Sequence, residues 1–304
     1  MGELSEAGAR IASAPARINL LGEHIDHQGG TVLPAAVHFR TTVRYTPGGN
    51  WRIVSENHED GGEWTRYVEA VIAVLQEEGQ APVPGSLEIS STIPEGRGIG
   101  SSAALEVAVA GALCDATPLD LARWCRRAEN DGVGVPCGIM DQMTAACAIA
   151  GNVLALDCAA ESFFHLPLPE VEILLFDPGL SRVLSDTPYA ERAEEARAQG
   201  TPAAEHVAGE RARVERGIEL LDAGDVAGFG ALLIQSHASL RDLYRCSHPA
   251  LDELVERLTV TPGVFGARVM GAGWGGCVLA LAEPGTRLEG AHNLVTDDGL
   301  YRLE

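Results

Sequence analysis

The chain has 304 residues, 46% of them hydrophobic and 21% charged, and two domains are expected because single cores stop growing near ~250 residues. Its formal net charge of −21 repels nucleic acid and anionic membranes. All 22 cationic side chains are arginine, which excludes a lysine-dependent phosphate loop, the strand lysine of protein kinases and Schiff-base chemistry. No apolar run approaches the ~20 residues needed to cross a bilayer, and MGELSEAGARIASAPAR at the start lacks the basic and apolar blocks of a signal peptide. A cytoplasmic location is therefore expected. Seven scattered cysteines without a Cys-x-x-Cys pair argue against zinc and against a disulfide framework.

In chain order, RINLLGEHIDHQGG (17–30) crowds Arg17, Asn19, Glu23, His24, Asp26 and His27 between apolar pairs, Leu20-Leu21 and Val32-Leu33. Those pairs predict buried strands that hold the polar stretch against a rigid wall. WTRYVEAVIAVLQE (64–77) has helical spacing, and GSLEIS (85–90) alternates as a half-buried strand. A glycine-rich loop follows and opens an apolar helix at Ser101-Ser102. A further helix is predicted from Pro118 to about Glu129, a break over Gly132–Gly138, and a helix from Ile139 to Ala150. GNVLALDC (151–158) and VEILLFD (171–177) read as strands. The division between domains is placed at 165/166, giving 1–165 and 166–304. The second half is helix-rich from Pro188 to about Leu258, then returns to a strand, a glycine loop and a last strand, CVLALAE. Strands on both sides of helical runs in each half predict an α+β fold.

Three stretches carry chemistry. In Pro94-Glu-Gly-Arg-Gly-Ile-Gly-Ser-Ser-Ala-Ala-Leu, glycines 96, 98 and 100 allow close backbone approach to an anion. The helix behind them supplies unpaired N–H groups and a partial positive charge. Such a cradle binds phosphate without a lysine, and Ser102 places a hydroxyl where a phosphate-bound Mg²⁺ needs oxygen. The same residues would also fit a plain turn with a serine cap. A second glycine loop, Gly271-Ala-Gly-Trp-Gly-Gly-Cys, joins two strands in the other half, so two loops could close on a polyphosphate. Asp141 is the only charged residue between Gly132 and Gly151. An ionised carboxylate in apolar company needs a partner, and it reads as a structural cap or as a positioned base.

The order of these stretches resembles that of the GHMP small-molecule kinases, and most closely the galactokinases. RINLLGEHIDHQGGTVLP is similar to the galactokinase sugar signature, GRGIGSSAALEVA to the phosphate loop, GVPCGIMDQM to the segment holding the catalytic aspartate, and ARVMGAGWGGCVLAL to the C-terminal glycine motif. SHASLRDLYRCSHPALDELV also resembles the region before that motif, and the likeness spans about residues 10–282. It implies a two-domain GHMP kinase fold, a ribosomal-S5-like α/β domain followed by a ferredoxin-like α+β domain, with ATP and a monosaccharide in the cleft between them.

The resemblance further implies that Arg17, Glu23, His24 and Asp26 occupy the sugar and transition-state positions. Gly138 and Asp141 would face the sugar, with Asp141 the catalytic aspartate. Tyr189, in SRVLSDTPYAERAEEAR, would pack on the sugar. Gly96, Gly98, Gly100, Ser101, Ser102 and Ala103 would hold the phosphates, and Ser102 and Glu129 the Mg²⁺. Trp64 would lie near the adenine. The expected reaction moves the ATP γ-phosphoryl group to the anomeric hydroxyl of galactose, with no obligatory protein partner. Carboxylates suit such a site because each accepts from two hydroxyls, and a missing partner strands a buried polar group.

Two departures bear on the sugar. Gly100-Ser101-Ser102 stands where galactokinases usually carry three serines, and IDHQGG replaces their usual TDYNGG. IDHQGG and PGVFGARVMGAG resemble the galacturonokinases, which typically lack the acid at Glu23. A uronate carboxylate facing Glu23 would be a like-charge pair, so galactose is favoured over galacturonate; arabinose and galactosamine are lesser alternatives. A non-catalytic galactose- and ATP-binding sensor is the alternative of another class, disfavoured because Ser102-Ala103 and Asp141 are intact. Kinases of mevalonate or homoserine lack the GEHxDxxGG acid cluster.

Overall fold

β1 (Arg10–Asn19) is buried along nearly its whole length and forms the spine of the first half of the computed structural model, which describes residues 8–94, 96–180 and 188–303. β1 runs antiparallel to β3 (Pro34–Pro47), with Arg17 opposite Ala36 and a register shift between Pro15 and Ala16. β3 pairs in turn with β5 (Gly85–Ser91), and β5 runs parallel to β4 (Arg52–Ser55). The far edge of β1 is taken by β12 (Tyr301–Leu303), giving the order β12-β1-β3-β5-β4. Residues 1–7 and 181–187 lie outside the described segments. The expectation of no leader at the start, and the first part of SRVLSDTPYAERAEEAR, therefore fall there in part.

Helices α1 (Thr65–Glu77), α2 (Ser101–Leu113), α3 (Pro118–Arg127) and α4 (Met140–Cys147) cover this sheet. α2 lies against β1 and β3 and buries ten of its thirteen residues, nine of them apolar or glycine with Glu106 the exception, as a nearly surrounded helix requires. α3 starts as its sequence dictates: the Thr117 hydroxyl accepts from the Asp120 amide and Pro118 occupies the first turn. The predicted end near Glu129 is instead a wide π-type turn, Ala128–Val133, running on from α3.

β2 (Thr31–Val32), β6 (Asn152–Asp157) and β7 (Ser162–Pro167) make a small sheet. In the second half, β8 (Glu172–Phe176), β9 (Val264–Val269), β10 (Val278–Ala282) and β11 (Ala291–Leu294) form an antiparallel sheet in the order β11-β8-β10-β9. α7 (Val226–Ser239) and α8 (Pro249–Thr259) pack on β9, and α6 (Pro202–Asp222) packs on α7; the short α5 (Tyr189–Glu195) precedes them. Among the described residues no helix is long and apolar enough to cross a membrane.

The two halves meet through apolar contact. Buried apolar side chains from both form one connected cluster. Residues 295–303, assigned by sequence to the second half, return to the first: His38 and Val295 exchange hydrogen bonds, and Arg40 donates to the Asp297 carboxylate at 2.7 Å and to the Gly299 carbonyl.

Candidate active site

The sequence leaves a capping serine open at the start of α2. The structure instead places Gly100 as the cap, at φ 78° and with no side-chain cap bond, and Ser101 as the first helical residue. The first amides of α2 are therefore not consumed by a side chain. Gly96, Gly98 and Gly100 all have positive φ, which the alternating Gly-Arg-Gly-Ile-Gly permits at little cost. Gly100 is also closely approached: a Cβ there would lie 3.1 Å from Arg17 Cγ and 3.4 Å from Asp141 Oδ2. Ala103 is fully buried under this turn.

β1 delivers Arg17 directly to that loop. Its backbone N–H donates to the Ile99 carbonyl at 2.8 Å and its Nη1 to the Gly98 carbonyl at 2.6 Å. Its other donors grip Asp141, Nε to Oδ1 at 2.7 Å and Nη2 to Oδ2 at 2.5 Å. This bidentate fork is the strong form of the carboxylate pair. Burial alone would pull the Arg17 guanidinium down, but the Asp141 charge and hydrogen bond, joined by the Glu23 and Asp26 charges, together leave Arg17 raised. Asp141 sits in the first turn of α4, where the helix end favours an anion. The partner that a lone carboxylate demanded is thus Arg17, 124 residues earlier.

The segment after β1 is held from the second half of the chain. Glu23 Oε1 accepts from Arg268 Nη2 and from the Gly271 amide, both at 2.9 Å. The Gly22 amide donates to Glu210 at 3.0 Å, and His206 Nε2 lies 3.2 Å from the Glu23 carbonyl oxygen. His24 takes a left-handed backbone, φ 63°, and stacks on Tyr244 with ring centres 4.1 Å apart. Sequence reading singled out none of Arg268, Glu210, His206 or Tyr244. Arg268 partly compensates the Glu23 charge on which the preference for galactose over galacturonate rests.

Asp26 closes against Gly138 so tightly that a Cβ at 138 would lie 2.3 Å from Asp26 Oδ2. On the expectation that Asp26 faces a sugar, Gly138→Ala should displace its carboxylate and raise KM for that sugar roughly tenfold or more, the scale of a lost charged hydrogen bond. KM for ATP should stay within about twofold, and initial rates against each substrate separate the two. Tyr189, at the start of α5, lies 5.9 Å from the His24 ring. Burial, then the Asp26 charge, push its phenol well above the usual range.

These residues surround one chamber of about 250 Å³, bounded by Arg17, Glu23, His24, Asp26, Asp141 and Tyr189, by the first glycine loop, and by Gly271 and Ala272 of the second. Both glycine loops therefore face the same space. A neighbouring chamber of about 290 Å³ shares Ser101 and Ser102 with it and is lined by Gly96, Trp64, His58, Tyr67 and Leu105. Trp64, stacked on His58 at 5.7 Å, lines the second chamber. The residues expected to touch sugar and those expected to touch the nucleotide base thus lie on either side of the α2 start.

Glu129 sits in the π-type turn, and its carboxyl accepts from the Ser102 hydroxyl, from Cys137 at 3.4 Å and from Gln142 at 2.6 Å. Burial, then the Asp141 charge, raise the Glu129 carboxyl. Burial, then Glu129, raise that of Glu106, which is buried with one oxygen unpartnered. Three carboxyls thus gather with Arg17 as the neighbouring cation. Among the described residues no group of three or more His, Cys, Asp or Glu side chains could hold a metal by itself. Two hard oxygens beside an excess of negative charge fit Mg²⁺, which takes one or two protein ligands and completes its shell with phosphate and water.

The GHMP kinases N terminal domain matches residues 66–149, the galactokinase galactose-binding signature residues 3–47, and the GHMP kinases C terminal domain residues 218–295. Galactokinase of Thermotoga maritima is 35% identical over 311 residues, spanning 90% of this chain and 89% of its own. Galactokinase of Bos taurus is 34% identical over 340 residues, spanning 92% and 86%. Lactococcus lactis galactokinase complexed with galactose superposes with a TM-score of 0.90 over 100% of this chain and 97% of its own, at 28% identity. Methanococcus jannaschii mevalonate kinase, at 20% identity and a TM-score of 0.76, covering 96% of this chain and 100% of its own, shares the fold. Long-range similarity and the local motifs converge, and the chain belongs to the galactokinase family of the GHMP kinases.

Proposed function

We infer that this protein transfers the γ-phosphoryl group of ATP to the anomeric hydroxyl of galactose, giving galactose 1-phosphate and ADP. The observation that carries this reading is the Arg17–Asp141 fork inside a chamber shared by the sugar motif and both glycine loops. Arg17 holds both Asp141 oxygens, yet a carboxylate has about four lone-pair sites, so Asp141 can still accept from a substrate hydroxyl. It orients that hydroxyl and takes its proton as the new O–P bond forms and the bond to the ADP oxygen breaks. Arg17, pinned by Gly98 and Asp141, places fixed positive charge where the transferring phosphoryl group must pass. Glycines 96, 98 and 100 and the first amides of α2, including Ser101 and Ala103, receive the phosphates. Trp64 lines the space for the adenine. Most of the rate comes from alignment and preorganised charge.

Ser102 and Glu129 would hold Mg²⁺, which when bound neutralises charge on the β- and γ-phosphates. Glu23, His24, Asp26, Gly138 and Tyr189 bind and orient the sugar. Four carboxylates line the chamber (Glu23, Asp26, Glu129 and Asp141) against Arg17 within it, and Arg268 stands behind Glu23. That balance favours a neutral hexose over a uronate, even with Glu23 partly compensated. A panel of free sugars with ATP and Mg²⁺, scored by ADP release, tests the reading. Galactose should be turned over and galacturonate at least tenfold less well, roughly one pKa-unit equivalent of charge repulsion. Faster turnover of galacturonate would reverse the sugar assignment. Nucleotide and galactose binding without ADP from any sugar would mark a sensor instead.

A further inference from the structure

Gln142 follows Asp141 in the first turn of α4 and is fully buried. Its amide nitrogen faces two carboxyl groups, Glu129 Oε2 at 2.6 Å and Glu106 Oε2 at 3.2 Å. Its amide oxygen and Glu106 Oε1 are buried with no hydrogen-bond partner. Of the other donors to Glu129, Cys137 is a weak one at 3.4 Å and Ser102 lines the chamber itself. Gln142 is the strong donor behind Glu129.

The chemical type matters as much as the distance. An arginine here would hold Glu129 equally firmly but cancel the charge that attracts a cation. A glutamate would add another carboxylate to the cluster. An amide fixes the carboxylate while leaving its charge intact. We propose that Gln142 is a positioning residue that orients Glu129 toward the divalent cation carried by the nucleotide, through the 2.6 Å amide–carboxylate bond. The proposal rests on the reading of Glu129 as metal-facing. Its place beside Asp141 ties the metal-facing acid and the base to one helical turn.

The test measures calorimetric binding of a non-hydrolysable ATP analogue at graded Mg²⁺, without sugar, for wild type, Gln142→Leu, Gln142→Asn and Glu129→Ala. Outer-sphere partners of metal ligands typically carry 10–100-fold of metal affinity, so half-saturating Mg²⁺ should rise about tenfold in Gln142→Leu and in the same direction in Gln142→Asn. Galactose binding and metal-free analogue binding should stay within about twofold of wild type. Glu129→Ala should shift the Mg²⁺ midpoint at least as far. If Glu129→Ala shifts it and the folded Gln142 variants do not, the positioning role is overturned while the reading of Glu129 stands. If Glu129→Ala itself leaves the midpoint in place, the reading of Glu129 fails and the role of Gln142 falls with it. Lower thermal stability at an unchanged midpoint would likewise reduce Gln142 to a packing residue and overturn the proposal.

Discussion

Asp141→Asn is expected to lower kcat by roughly 10²–10⁴, the usual contribution of a positioned proton acceptor, with KM for ATP nearly unchanged. The substitution conserves shape, so Arg17 keeps its bonds to Gly98 and one bond to the new amide oxygen. It loses the second, because the amide nitrogen would meet Arg17 donor to donor. Two effects therefore act together: proton acceptance is removed and the guanidinium loses half its fork. The nucleotide side should be spared, since the phosphate cradle is built from glycine-loop and α2 amides. ADP release at saturating galactose and ATP measures their joint loss of turnover, and analogue binding checks that the nucleotide side is spared. A kcat within tenfold of wild type would remove Asp141 from the chemistry.

The second large effect concerns stability. Arg268 is fully buried on β9 and pairs with Glu23 across the two halves of the chain. Removing one member of a buried pair typically costs about 3–5 kcal/mol, because the other charge is left without compensation. In Arg268→Met the cost should fall near the lower end, about 3 kcal/mol, since Arg268 Nε and Nη1 are already without partners and their penalty disappears with them. Glu23 would also keep its bond from the Gly271 amide. The double variant Glu23→Gln, Arg268→Met should recover a good part of that loss, because no unpaired charge remains. Urea unfolding of wild type, single and double variants checks this. A single-variant loss under about 1 kcal/mol would show that the pair does not hold the halves together.

What was legible in the sequence was local. α1 and α2 announce themselves through continuous apolar spacing, and α1 is found at Thr65–Glu77 against an expected 64–77. The glycine loop, Asp141 and Glu23 stand out because each is chemically out of place among its neighbours. Residues whose importance arises only across the fold stayed hidden. Arg268 looks like one polar residue in the strand GARVMGAG, and its partner lies 245 residues away. Glu210 and His206 read as the polar side of an ordinary helix, yet both are fully buried against the sugar segment. β7, with only one buried residue, and β12, three residues long and exposed, were missed, because neither carries a full apolar alternation. Gln142, adjacent to the residue that drew most notice, shows no periodic or compositional signal at all.

The pairing of Tyr301–Leu303 with Ile11–Ser13 has a consequence for biogenesis. Until 301–303 pair with it, the Ile11–Ser13 edge of the strand that carries Arg17, about 290 residues away along the chain, has no partner on that side. Contacts of such sequence separation form late and slowly, and an unpaired strand edge invites association with other chains. A chain lacking residues 301–303 would leave that edge of β1 open beside the Arg17–Asp141 pair.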